Sequence, residues 1–511
     1  MPIDKVSFFQ EVEDPRYDSL KMPVKVDKSN RATEIMFINP ATNKSSFTLA
    51  YGPNYPPTQW SCWNADGTTH YFDVYAGPDY KAVLQSCYIQ ISYYPVQVRN
   101  SDAVAAFAGC PIACTGNQGA RKGFGISWNS IYNFFQTISL KGNQSQTAIE
   151  SYVNNNNLGH ISTLRYLLKY KRSALENNDQ ELFTPCIEST FDTDSLSEET
   201  FLRSNRWMAG VGISTSVYSD LANVTNNQPK KYTKLISLAS IFEFCENPGI
   251  LQNLNRFRVE FTMRSPDKIA FLGFNNNQLP AHCSMVHIFV DDIQLIYDAC
   301  RMTSIRSIET ATNKQQGSVE NIAYCQNEVI PWNFSGGSQV VCTSQRDVQL
   351  CAFAVPAYAQ HPVLPNGTTS ATTCLNPIQY HNAGITSMNL IYGSDMPLRQ
   401  PLRLSDGALV GGSNLSPSFY SNAIAYEMYK KSACCDRAMM VPPALSYTTF
   451  PMYNFFCFPI FNQSFIHKTN DPRDLRFDNN TSTPIVNVPS VIIVRKFAGL
   501  QVDSLGGIEK V

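Results

Sequence analysis

Between Leu254 and Arg264 apolar and polar residues alternate almost without a break. Phe257, Val259, Phe261 and Met263 fall on one side, and Arg256, Arg258, Glu260, Thr262 and Arg264 on the other, which is the period of a β-strand with one face in water. Ser265-Pro266-Asp267 then supplies a turn. Further strands are predicted at Glu34–Asn39, Ser46–Tyr51, His70–Tyr75 and Ala82–Val98, separated by turns such as Gly52-Pro53-Asn54-Tyr55-Pro56-Pro57.

An order of elements occurs twice. Ile131–Leu140, a helical stretch at His160–Tyr170, and strands at Leu254–Arg264 and Val286–Tyr297 are followed later by Ile385–Tyr392, a helix from Ser416, and strands at Tyr453–Ile460 and Val488–Phe497. The later helix is argued from its start: Ser416 can cap it, Pro417 is pre-set for the first turn, and Tyr420, Ile424 and Met428 recur on one face, with Lys430 and Lys431 near its end. In the earlier helix Ile161, Leu164 and Leu168 share a side. The duplication divides the chain into an arm over 1–29, a first unit over 30–302, a polar linker over 303–328 and a second unit over 329–511. Long irregular insertions at Ser173–Ser204, Thr215–Lys234, Gln360–Pro377 and Pro401–Leu415 are expected to carry surface function or subunit contacts.

Length agrees, since 511 residues exceed what one core usually supports. Charged residues make up only 16% of the chain, below the usual share of about 25%, and Asn, Ser, Thr, Tyr and Phe take their place. Such a mixture suits strands and polar turns, so an all-β architecture is expected. The net charge of −1 gives no field to attract a polyanion, and no apolar run approaches the ~18 residues that a spanning helix needs. The start, Met1-Pro2-Ile3-Asp4-Lys5, reads as that of a cytosolic product. None of the 15 cysteines forms a C-x-x-C pair, so they are expected as free thiols acting as small core hydrophobes.

Candidate chemistry is sparse. His282-Cys283 with His287 has metal-ligand types without ligand spacing, and Gly116–Gly123 has the glycines of a phosphate loop without its Gly-Lys-Ser/Thr. Asp291-Asp292 and the group Asp471, Asp474 and Asp478 could supply acid–base carboxylates, but nothing in the sequence brings a partner to them. Asn-x-Ser/Thr sequons at Asn43, Asn143, Asn223, Asn333, Asn366, Asn414, Asn462, Asn479 and Asn480 are read as polar loop chemistry. The sequence thus assigns no catalytic, cofactor-binding or metal residue.

The order and lengths of these elements resemble the double jelly-roll major capsid proteins of eukaryotic DNA viruses, in the polinton-like, adintovirus and virophage group. The first half carries the resemblance at Trp128–Phe135, Ile138–Asn143, Leu164–Tyr170, and Phe257–Met263 with Asp267 and Phe271. The second half carries it at Met388–Tyr392, Pro397, Phe419–Tyr429, Tyr453–Phe458, Leu475-Arg476-Phe477 and Val491-Ile492-Ile493-Val494 running to Val502-Asp503. The family's polar step after the aromatic strand is replaced here by Pro459-Ile460-Phe461-Asn462. The resemblance implies an all-β chain of two tandem eight-stranded jelly rolls, with short helices and long loop insertions. It also implies a non-enzymatic, cofactor-free subunit of an icosahedral virion, made in the host cytosol. Such a subunit forms homotrimers that tile as pseudo-hexamers beside neighbouring capsomers, penton and minor capsid proteins, without specific nucleic acid or a transmembrane segment. The competing expectations are a glycan-active hydrolase or amidase built on two jelly rolls, and a virion fibre, whose repetitive shaft this sequence lacks.

Overall fold

In the computed structural model, residues 33–49, 58–75, 80–97, 122–125, 134–142, 148–153, 161, 168, 231–246, 256–266, 269, 271–274, 286–301, 317, 319–334, 339–354, 385–393, 398, 400–403, 423–434, 455–460, 473–481, 488–503 and 508–510 are described. The strands of the first half are β1 (Thr33–Ile38), β2 (Ser45–Leu49), β3 (Thr58–Cys62), β4 (Thr69–Tyr75), β5 (Tyr80–Ala82), β6 (Tyr88–Gln97), β7 (Lys122–Gly125), β8 (Phe135–Gly142), β9 (Ala148–Val153), β10 (Tyr232–Ser237), β11 (Arg256–Met263), β12 (Phe271–Phe274) and β13 (Val286–Arg301). Those of the second half are β14 (Glu320–Phe334), β15 (Gln339–Gln345), β16 (Val348–Ala354), β17 (Ile385–Tyr392), β18 (Leu402–Arg403), β19 (Phe455–Pro459), β20 (Arg473–Thr481), β21 (Val488–Val502) and β22 (Ile508–Lys510). A four-residue helical turn, α1 (Leu238–Ile241), is followed by a 3-10 turn at Glu243–Glu246, and α2 spans Ala423–Cys434.

These strands form two antiparallel sandwiches of the same design. In the first, the order β1-β13-β6-β10 faces β4-β11-β8-β9; in the second, β14-β21-β16-β19 faces β15-β20-β17-β18. Each order is the other's, strand for strand, which is the tandem jelly-roll arrangement. The likeness extends to detail: burial is the same at all 8 positions of β8 and β17. Moreover, each carries a bulge one residue in, because the pairing skips Gln136 against Thr262/Met263 and Thr386 against Thr481/Asn480.

The cores follow from alternation. Phe257, Val259, Phe261 and Met263 are all buried, as their spacing predicted, and Phe261 meets Phe72, Phe135 and His70. On the wet face Arg258 forks onto Asp73 at 2.6 and 2.9 Å and lies over the Tyr71 ring. In the second sandwich Phe477 of β20 meets Phe353 and Phe458 across the layers. The described cysteines are free thiols, nearly all buried, and burial pushes Cys62 and Cys300 up to about 11, so they stay protonated at neutral pH.

Several expectations need correction. The stretch Ala82–Val98 is not one strand: β5 ends at Ala82, a 3-10 turn occupies Leu84–Ser86, and β6 follows. Glu320 opens β14 inside the span read as linker, because polar Asn321, Gln326, Asn327 and Glu328 belong to a strand pairing throughout with β21. The counterpart of Leu254–Arg264 is β20, not Tyr453–Ile460, which pairs as β10 does. Helix α2 buries Ala425, Met428, Tyr429 and Ser432, while Ile424 is 55% exposed, so the predicted stripe was rotated by a residue. Ser416, Pro417 and Tyr420 lie outside the described residues; of the earlier helix, Ile161 and Leu168 are described, and both are helical and buried.

Candidate functional site

The residue pairs singled out for chemistry do not converge among the described residues. His287 takes its place on β13 opposite Val96, while His282, Cys283, Asp471 and Gly116–Gly119 lie outside the described residues and Gly123 pairs within β7. Asp291 is the bulged residue of β13 and accepts from Lys231 at 2.7 Å and Lys44 at 3.2 Å. Burial would raise its carboxyl, but the two ammoniums outweigh burial and hold it below the usual carboxylate range. Asp292 stands opposite Ser92. In the other sandwich Asp474 accepts from the Ser344 amide and Asp478 accepts a forked pair from Arg476 at 2.8 and 3.0 Å. Asp291, Asp474 and Asp478 therefore brace strands and loops. No group of three or more metal-ligating side chains occurs among the described residues. Asn333, Asn479 and Asn480 lie in strands rather than loops, and Asn480 donates to Ser387.

What the sequence did not single out is the seam between the two sandwiches. Its centre is Glu150 on β9, fully buried, whose two carboxylate oxygens accept the backbone N–H groups of Glu243 at 3.0 Å and Phe244 at 2.7 Å. Those amides open the 3-10 turn and would otherwise be buried donors without an intrahelical acceptor. The Tyr152 hydroxyl donates to the same carboxylate. Held this way, Glu243 reaches across to the second sandwich, where Asn327 of β14 donates to it at 2.8 Å and Arg495 of β21 forms an ion pair at 3.5 Å. The pair is 2% and 9% exposed. Around it, Phe244 packs edge-on against Tyr324, whose hydroxyl donates to the Ile149 carbonyl.

The chain of cause is short. Charged groups leave water at high cost unless paired and bonded, so this cluster is stable only while both sandwiches keep their relative placement. Asn327 and Arg495 stand directly opposite each other in the β14/β21 ladder, so both polar heads arise from one rung. Further along the same sheet α2 lays Tyr429 edge-on over Phe455. Ser490 to Arg495 are consequently buried at every position, which a sheet with one solvated face does not show. The signal available in sequence was that unbroken apolar run closing on Arg495; Glu150 and Glu243, isolated acids in unrelated segments, gave none.

No family model matches the sequence, and no curated protein matches it. Solved structures do. A chain in the cryo-EM structure of the Sputnik virophage superposes with a TM-score of 0.50 at 10% identity, covering 98% of this chain and 92% of that one. The PBCV-1 virus capsid, as a quasi-atomic model, gives a TM-score of 0.45 at 9% identity over 94% and 98%, and the crystal structure of mavirus major capsid protein gives 0.41 at 11% over 93% and 90%. The peptide glycanase PNGase F reaches 0.20 at 6% identity. The class is thus set by architecture: a protein of two tandem jelly rolls in one chain, as in the Sputnik structure. In this chain a buried Glu–Arg ion pair locks the two rolls together.

Proposed function

We propose that the chain is a major capsid protein, a structural subunit of an icosahedral virion. Three copies associate as a pseudo-hexameric tile, and tiles join neighbouring capsomers and are completed by penton and minor capsid proteins. The observation that carries this reading is the pairing of two matched sandwiches across a buried ion pair. A chain that fixes one jelly roll against its own duplicate makes two sixths of a ring from one polypeptide, and a head-to-tail repeat of such units closes on a threefold axis. Whole-length likeness of fold to the Sputnik chain supports it. Asp291, Asp474 and Asp478 support it as well, since each is engaged in bracing by a neighbouring amide or cation.

The test is the mass and outline of the purified protein. Analytical ultracentrifugation is expected to give three times the 57.2 kDa of one chain, and negative-stain microscopy a hexagonal outline with, at high concentration, arrays. Single copies at every salt and protein concentration would overturn the proposal.

A further inference from the structure

The two sandwiches are not covered alike, and the difference locates the joint between copies. Registers can be matched rung by rung. In both sandwiches a fully buried pair marks the same rung between the second and third strands of the larger sheet: Ile293 with Ile91 in the first, Val494 with Cys351 in the second. One residue further lies Gln294 in the first and Arg495 in the second. Opposite Arg495 is Asn327; beside Gln294 is Asn39, whose side-chain oxygen accepts from the Gln294 amide at 3.0 Å. The Asn39–Gln294 pair therefore occupies in the first sandwich the place of the Asn327–Arg495 pair that grips Glu243 in the second.

The surroundings correspond too. Cys325 with Phe497, the next outward pair in the second sandwich, matches Phe37 with Ile296 in the first. Yet Phe37 is 63% exposed and Ile35, two residues before it, 51% exposed, on the side of β1 opposite Met36 and Ile38, which pack on the core. Half-buried Ile296 and Tyr88 continue the row across the sheet. A contiguous outward apolar row on a sheet edge is a docking surface in want of an occupant.

Resting on the capsid reading above, we infer that this outward face of β1 and β13, centred on Ile35, Phe37 and Ile296 with the Asn39–Gln294 pair, receives the second sandwich of another copy of this chain, in a joint that repeats between molecules the seam found within one. The occupant follows from the duplication. At the rung that matches Asn39–Gln294 the second sandwich takes Glu243 of the first, and the chain's own second sandwich is already engaged on the side of β9 and the 3-10 turn. The joint between copies differs from the internal one in chemistry: a neutral amide pair replaces the Arg side of the buried ion pair. It is mainly apolar, with the carboxylate of Asp298, directly opposite Ile35, on the same face.

The experiment compares the full-length wild type with I35D/F37D by sedimentation, with circular dichroism and melting to check folding and Y75D as a control on the outer face of the opposite sheet. The expected result is a folded double variant that sediments at one third of the wild-type mass while Y75D assembles normally. A folded I35D/F37D that keeps the wild-type mass overturns the inference and leaves the capsid reading standing. A wild type that never assembles strikes that reading itself. Should I35D/F37D not fold, hydrogen exchange on the wild type decides: residues 33–39 and 294–298 protected on assembly and released on dilution support the joint. Equal protection in both states, as a cover from residues 1–32 would give, overturns it.

Discussion

The two sandwiches share strand order, a burial pattern and a bulge, yet they treat their larger sheets differently. At the rung where the second buries Asn327 and Arg495, the first leaves Gln294 half-buried, and where the second has half-buried Cys325 the first has Phe37 at 63% exposure. Identical topology therefore does not fix which faces meet water. What differs is the neighbour: β9, the 3-10 turn and α2 close the second sheet, and nothing comparable lies over Ile35 and Phe37 among the described residues. A duplicated unit acquires direction in this way, one copy acting as donor of the covering elements and the other as receiver.

The largest effect is expected at the lock that creates this asymmetry. Removing one partner of a buried ion pair strands the other charge, at a cost of about 3–5 kcal/mol. Arg495→Ala and Glu243→Ala should each destabilise the protein by that order in urea unfolding, and each should loosen the second sandwich from the first. The double variant E243Q/R495M should cost much less than the sum of E243Q and R495M made singly, because an amide bonded to Asn327 beside an apolar chain leaves no bare charge. Additive losses in that double-mutant cycle would mean the two side chains do not act as a pair.

Next in size is the helix that covers the rest of the second sheet. Met428 is 5% exposed and Ile424 55%, so Met428→Ala should cost about 2–5 kcal/mol and Ile424→Ala a few tenths, read from urea midpoints. Equal losses would return the helix to the orientation its sequence suggested. That misreading is instructive. The stretch offers apolar residues at 424, 425, 426, 428 and 429, and spacing alone cannot choose between stripes offset by one residue when both contain a large side chain. The same limit hid β20. Its sequence, Arg-Asp-Leu-Arg-Phe-Asp-Asn-Asn-Thr, buries Leu475, Phe477 and Asn479, so its inward period is completed by an amide that reads as polar. By contrast β11 and β17 were legible nearly to the residue, because each is solvated on one face and apolar on the other. The seam was illegible for a further reason: Glu150, Glu243, Asn327 and Arg495 meet only through tertiary structure, and no local pattern announces a partner so far away in sequence.

The smallest expected effect belongs to one histidine that has no counterpart in the second sandwich's matching strand. His70 on β4 is buried, with Nε2 donating to the Trp63 carbonyl at 3.1 Å and Nδ1 accepting from the Thr42 hydroxyl. Both contacts suit the neutral ring, and burial holds the imidazole below its ordinary value although the Trp63 carbonyl and Asp66 pull the other way. The unfolded chain takes up this proton near pH ~6.5, whereas the folded one resists it. Stability from this site is therefore complete above that pH and is lost as the solution is acidified below it. Wild type should melt a few degrees lower at pH 5 than at pH 7.5, and H70Q should flatten that difference while lowering the melting point at pH 7.5 by loss of the Trp63 and Thr42 contacts. An equally steep decline in H70Q would assign the acid sensitivity elsewhere. Hydrogen exchange then tests the comparison directly, because the extra opening at pH 5 should be confined to β4, β11 and β8, the strands packed on His70 and Phe261, and spare their counterparts β15, β20 and β17.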